Sequence, residues 1–211
     1  MSGLVHFPGN EEEFHVLEHA IGLQIDTTRR LPDWPFRAAT AFARIYEFDR
    51  VLGGSFGAVL GALAAGYGDD AVTVACFDPE WRYYRDEYTF FPGFQIPGDV
   101  VGARYAEGLQ HEPDDDPTGA LAFTANVIGI AGSSRSWALW GQRDWEIALL
   151  LTQDESGPWA AVPVPVWGRD IDLASIRSPV GWGAPLSEQD LQTFWANVRD
   201  RGSGGQSPCP S

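Results

Sequence analysis

SWALWGQRDWEIALLLT, residues 136–152, reads as two strands joined by a tight loop. Ser136–Trp140 and Trp145–Thr152 flank the four residues Gly141-Gln142-Arg143-Asp144, the length and composition of a β-hairpin connection. Trp137 and Leu139 share a face on the first strand, and Trp145, Ile147, Leu149 and Leu151 share one on the second. Period-2 spacing of such large apolar side chains marks strands with a buried face.

Further strands are expected on either side of the hairpin. Ala71–Phe77 (AVTVACF) alternates Val72, Val74 and Cys76 after the Gly66–Asp70 turn. Another strand is placed near 126–131. Trp159–Trp167 (WAAVPVPVW) reads as an edge strand over 159–166, because Pro163 and Pro165 withhold N–H donors from one side.

The remaining segments carry helical spacing. Asn10 with Glu13 three residues on forms a capping-box-like start, and Phe14, Leu17 and Ile21 follow on one face. Pro35 opens a second expected helix with Phe36, Ala39, Phe42 and Ile45 along its buried side. Val51–Gly68 holds no charged residue, six glycines and four alanines. Gly53, Gly57 and Gly61 recur every four residues, so this reads as a buried helix whose bare face admits a close neighbour, rather than a membrane span. Residues 78–98 are rich in aromatics and prolines and read as loop with a short helix. Asp99 precedes a helix carrying Val101, Tyr105 and Leu109. Ser187 with Asp190 caps a last helix, with Leu186 and Leu191 as a hydrophobic staple and Leu191, Phe194, Trp195 and Val198 as its buried stripe.

The sum is a single α+β domain over residues 10–200. It is expected to have a mostly antiparallel sheet of about five strands, with the N- and C-terminal helices packed on one face. Residues 202–211 (GSGGQSPCPS) have the composition of a disordered tail.

Charge narrows the function. All 14 basic side chains are arginine, 29 Asp and Glu oppose them, and the formal charge is −15. Such a surface repels phosphate backbones, which excludes electrostatically driven nucleic-acid binding, and favours a basic protein partner. Arginine without lysine points to a GC-rich bacterial coding bias. Two cysteines, Cys76 and Cys209, provide neither a disulfide framework nor metal spacing, and the opening MSGLVHFPGNEEE lacks the basic start and apolar stretch expected of a signal peptide. A cytoplasmic protein is expected.

Several clusters could carry chemistry. Trp140, Arg143 and Asp144 at the hairpin loop, with Trp81 and Tyr84 further upstream, have the residue types that dominate binding hot spots. His15-Val16-Leu17-Glu18-His19 resembles the H-x-x-E-H motif of the inverted zincins. The resemblance implies zinc held by His15 and His19, Glu18 activating water, and a third ligand downstream. The helical wheel, however, places both histidines on the flank away from Phe14, Leu17 and Ile21. Gly53-Gly54-Ser55-Phe56-Gly57 resembles a nucleophile elbow, but no strand leads into it and only His111 follows as a base. Asp114, Asp115 and Asp116 form an acidic turn without the spaced ligands of a calcium loop.

With no complete catalytic set, the leading expectation is a non-enzymatic acidic binding protein that neutralises a basic partner and takes no cofactor. The analogy, on charge and fold class alone, is to the immunity proteins that block secreted nuclease toxins. The alternatives are a zinc-dependent hydrolase using the H-x-x-E-H residues and a small-ligand or carbohydrate binder using the aromatics at 81–94.

Overall fold

The computed structural model describes residues 4–37, 42–113, 116–163 and 186–201. Helix α1 (Glu11–Gly22) leads to β1 (Phe42–Glu47), the single-turn α2 (Phe48–Val51) and α3 (Gly57–Tyr67). Then follow β2 (Ala71–Asp78), α4 (Trp81–Tyr88), β3 (Gly93–Pro97) and α5 (Val101–Leu109). The short α6 (Leu121–Thr124), β4 (Val127–Gly132), β5 (Trp137–Gln142), β6 (Ile147–Thr152) and α7 (Glu188–Arg201) complete the order.

The fold is α+β, and the sheet is antiparallel throughout. It has six strands in the order β1-β6-β5-β4-β2-β3. The hairpin expected at 136–152 is its centre, but its loop is displaced by two residues. Gln142 pairs with Ile147, so the connection is Arg143–Glu146 rather than Gly141–Asp144, and Glu146 closes it with φ of 55°.

Every residue of β4, β5 and β6 is buried. The period-2 pattern sorts side chains between two cores. Trp137, Leu139, Ala148 and Leu150 join one, and Ala138, Trp140, Ile147, Leu149 and Leu151 join the other. Helices α1 and α7, the N- and C-terminal ones, cover the second core through Phe14, Ile21, Leu191 and Phe194. Helices α3 and α5 cover the first through Val59, Leu60, Leu63, Tyr105 and Leu109. The Gly-rich helix and its partner thus lie on the opposite side of the sheet from the chain's terminal helices, which is what a sheet apolar on both faces requires.

The glycine reading holds at Gly57 and Gly61. A Cβ at Gly57 would stand 2.8 Å from the Gly102 carbonyl oxygen of α5, and one at Gly61 would stand 3.2 Å from the Gly102 Cα. Gly53 lies outside this contact, because the 51–66 stretch is broken into α2, a 3-10 turn at Gly54–Phe56 and α3. Inside the break, Tyr105 donates its hydroxyl to the Val51 carbonyl at 2.9 Å.

Two expectations are corrected. Phe42–Glu47 is a strand, not the end of a second helix, because Ile25 bridges Phe36 and β1 pairs residue for residue with β6 from Phe42↔Thr152 to Glu47↔Ile147. Pro158–Ala161 is a 3-10 turn, not the start of an edge strand. It lets Trp159 stack on Tyr67 with ring centroids 4.9 Å apart. Residues 164–166 of that expected strand, and the expected tail at 202–211, lie outside the described residues. Strand β3, which sequence patterning left inside a loop, forms one sheet edge. The N-terminal segment covers it through two backbone bonds between His6 and Gln95, 2.8 and 2.9 Å long. No helix among the described residues is long and apolar enough to cross a membrane.

Candidate functional site

Helix α1 begins as the capping pattern requires. The Glu13 amide donates to Asn10 Oδ1 at 2.9 Å, and the Glu13 carboxylate accepts from the Gly9 amide at 2.8 Å. That bond holds the Glu13 carboxyl below its ordinary value. The cap fixes the phase of the helix, and with it His15 and His19 turn outward. His15 Nδ1 lies 2.6 Å from Glu18 Oε2, and its Nε2 lies 3.4 Å from Glu11 Oε1. The Glu18 hydrogen bond raises the imidazole's pKa, against desolvation and with a further contribution from Glu11. The inverted-zincin resemblance therefore meets a histidine whose two ring nitrogens already face carboxylates on an open helix surface. Among the described residues, no three His, Cys, Asp or Glu side chains are grouped to hold a metal ion.

The hairpin does not present its tryptophans to solvent. Trp140 is fully buried, and its indole donates to Gln142 Oε1 at 3.2 Å. Gln142 Nε2 in turn donates to Asp144 at 3.2 Å. This corrects the expectation of Trp140 as a surface anchor, since Leu149 faces it across the strands and Phe77 packs against it. Arg143 is held rather than free. Its Nε donates to the Ala125 carbonyl at 3.1 Å, its Nη1 reaches Asp49 at 3.3 Å, and its guanidinium covers the Phe48 ring at 5.1 Å. Asp144 is exposed.

Trp81 is buried between α1 and α4. Phe91 stacks on it, and Arg82 and Arg85 lie over its ring at 4.7 and 4.9 Å. Tyr84 is also in the core, donating its hydroxyl to Thr124 Oγ1 at 2.9 Å. Its neighbour Cys76 is buried beside it, and desolvation pushes that thiol up to about 11. The aromatics at the surface here are Tyr83 and Phe123, 44% and 70% exposed. Helical phase could have separated Tyr83 from Tyr84, but single-turn α6 carries no period that would have exposed Phe123.

Ser55 is exposed in the 3-10 turn, and His111 is stacked on Phe7 with centroids 4.1 Å apart. No hydrogen bond joins the two among the described residues, so they make no nucleophile–base pair. Asp114 and Asp115 of the acidic turn lie outside the described residues. Asp116 accepts from both the amide and the hydroxyl of Thr118, at 2.9 and 2.7 Å, as a turn cap.

The structure also brings together residues that the sequence did not single out. Asp69, only 8% exposed, accepts the Trp137 indole at 2.7 Å and the Ser134 amide at 2.6 Å. It clamps the turn between β4 and β5 onto the end of α3. On the opposite side of that turn lies a cleft of about 320 Å³, with Leu23, Phe36 and Leu151 among its walls and exposed Arg37 and Arg135 lining it.

Compared with protein-family models, curated proteins and solved structures, the chain matches none of them. The functional reading therefore rests on surface chemistry. Carboxylates of Glu11, Glu12, Glu80, Asp86 and Glu87 are exposed along α1 and α4, and the two helices meet where the His15 and Trp81 rings lie 5.9 Å apart.

Proposed function

We propose that this chain is a non-enzymatic binding protein, an acidic inhibitor that docks a basic protein partner as immunity proteins do. The observation that carries the reading is the whole chain's formal charge of −15, of which the exposed carboxylates of α1 and α4 are one part. Arg82 and Arg85 sit within this face, but each has an acidic neighbour, Glu80 at 3.7 Å and Asp86 at 2.7 Å. Tyr83 on α4 and Phe123 on α6 are exposed and supply apolar contact in this reading.

Such a surface acts first on encounter. A field of one sign steers an oppositely charged protein and raises the association rate, while aromatic contacts govern how long the complex lasts. The docking residues in this reading are Glu80, Tyr83, Asp86, Glu87 and Phe123. Trp140 and Tyr84 are core residues in this reading, one in each core.

The test is stopped-flow association with a panel of purified cationic nucleases at low and high salt. The expected result is a rate that falls by about tenfold or more as salt screens the field. Glu80→Arg combined with Glu87→Arg should produce a similar fall at low salt. A rate indifferent to salt removes the electrostatic basis of the proposal.

A further inference from the structure

We propose that the cleft beside the β4–β5 turn is a binding site for a small organic anion, with a carboxylate held by Arg37 and Arg135 and an apolar body resting on Phe36, Leu23 and Leu151. This goes beyond the docking of a basic protein and does not depend on it.

The arginines are the first reason. In a protein of charge −15, arginines readily find carboxylates, and at least six of those described do. Arg29 pairs with Asp26, Arg50 with Glu47, Arg82 with Glu80, Arg85 with Asp86, Arg104 with Glu107 and Arg143 with Asp49. Arg37 and Arg135 form no such close pair among the described residues, although Asp26 lies within electrostatic range of Arg37, and both line one cleft. Arg37 is anchored by its Nε, which donates to the Gly22 carbonyl at 2.7 Å. Its two Nη nitrogens remain for a planar acceptor, the geometry in which a guanidinium grips a carboxylate.

Shape is the second. The cleft volume of about 320 Å³ stands at the small end of ligand pockets, roughly 300–1,000 Å³. Its walls combine the apolar side chains with Gln24, Ser136 and Gln153, the mixture expected of a site that holds an amphipathic molecule in one orientation. With its amide nitrogen turned inward, Gln24 donates to the carbonyls of Arg135 at 3.1 Å and Trp137 at 2.9 Å, so α1's end and the hairpin form one wall.

The third is the backbone under Arg135. Its φ of 62° lies in the left-handed region, which side chains other than Asn, Asp and Gly seldom occupy. The Arg135 amide is held to the Gly132 carbonyl at 3.1 Å and the neighbouring Ser134 amide to Asp69, which keep the turn in place. An arginine stands where glycine would be more comfortable, and it lines the cleft.

The experiment is a titration of the full chain with benzoate, benzamide and inorganic phosphate, followed by amide chemical shifts. Benzoate should produce saturable shifts at residues 135–138 and 151–153, with a dissociation constant on the order of 1 mM or tighter. Benzamide, of the same shape without charge, should bind about tenfold more weakly or not at all. Phosphate, lacking the apolar body, should also bind more weakly than benzoate. Arg135→Gly suits the left-handed backbone, so it should fold with an unchanged or higher thermal midpoint while losing benzoate affinity by about tenfold. Equal affinity for benzoate and benzamide overturns the proposal. So does an Arg135→Gly variant that binds as well as the parent, or the absence of saturable shifts at the cleft.

Discussion

Asp69 shows what one carboxylate does when it is nearly buried and fully engaged. Its two oxygens face two donors, the Trp137 indole and the Ser134 amide, and a charged acceptor makes both bonds strong. Asp69→Asn keeps the size but presents an NH2 group to one of those donors. The expected loss is roughly 1–3 kcal/mol of folding stability, read from the midpoint of a urea titration. His15 makes the opposite case, an exposed pair with little at stake. Its pKa is raised by Glu18, so the pair's contribution is fully present below the unfolded value of about 6.5 and disappears as pH rises through the higher folded value. Side chains half and nearly a third exposed screen the pair, so the effect is a few tenths of a kcal/mol at about the level of helix surface pairs. His15→Gln should therefore cost stability near pH 5.5 and nothing measurable near pH 8, in paired urea titrations.

Among the elements, the α3–α5 contact is one that a single methyl group can break. Gly57→Ala gains helix propensity, yet the added Cβ meets the Gly102 carbonyl oxygen at 2.8 Å and Tyr105 Cβ at 3.1 Å. Backbone on the far side cannot step aside, so a net loss of roughly 1–3 kcal/mol is expected. Gly22 in the last turn of α1 is the control. Nothing stands within 4 Å of a Cβ there, and Gly22→Ala should raise stability by about 0.5–1 kcal/mol. Thermal midpoints moving in opposite directions would verify both. The sequence made this contact legible because four-residue glycine spacing has one economical use in a helix. It concealed β1 because Phe42 and Ile45 suit a helix face as well as a strand, and only β6, more than a hundred residues away, decides between them. It placed the start of the third run wrongly because the alternation of valines with Pro163 and Pro165 suggested a strand, while Trp159 found a better partner in the Tyr67 ring.

At the scale of the whole molecule, the sheet with both faces apolar explains why so many large rings are accounted for by packing. Trp140, Trp81 and Tyr84 have the residue types of a binding hot spot, and three-dimensional context assigns them to two cores instead. What sequence could supply about a site was its charge; what it could not supply was which aromatic faces outward, since that depends on where each helix lies. The histidine pair was legible as exposed, because helical phase alone determines it. The arginine-lined cleft was not, because residues 23–37, 135–138 and 151–153 meet only once the sheet is assembled.

The strand order has a consequence for how the chain is made. β1 is complete at Glu47, but the strand it zips onto ends at Thr152. A ribosome adding about 5–20 residues per second needs on the order of 5–20 s to cover that interval. Throughout it, Phe42, Ile45 and Tyr46 wait without a mate, and closing so long a loop is slow even once the mate emerges. Newborn chains stalled anywhere before Ile147 should be the ones that holdase chaperones retain.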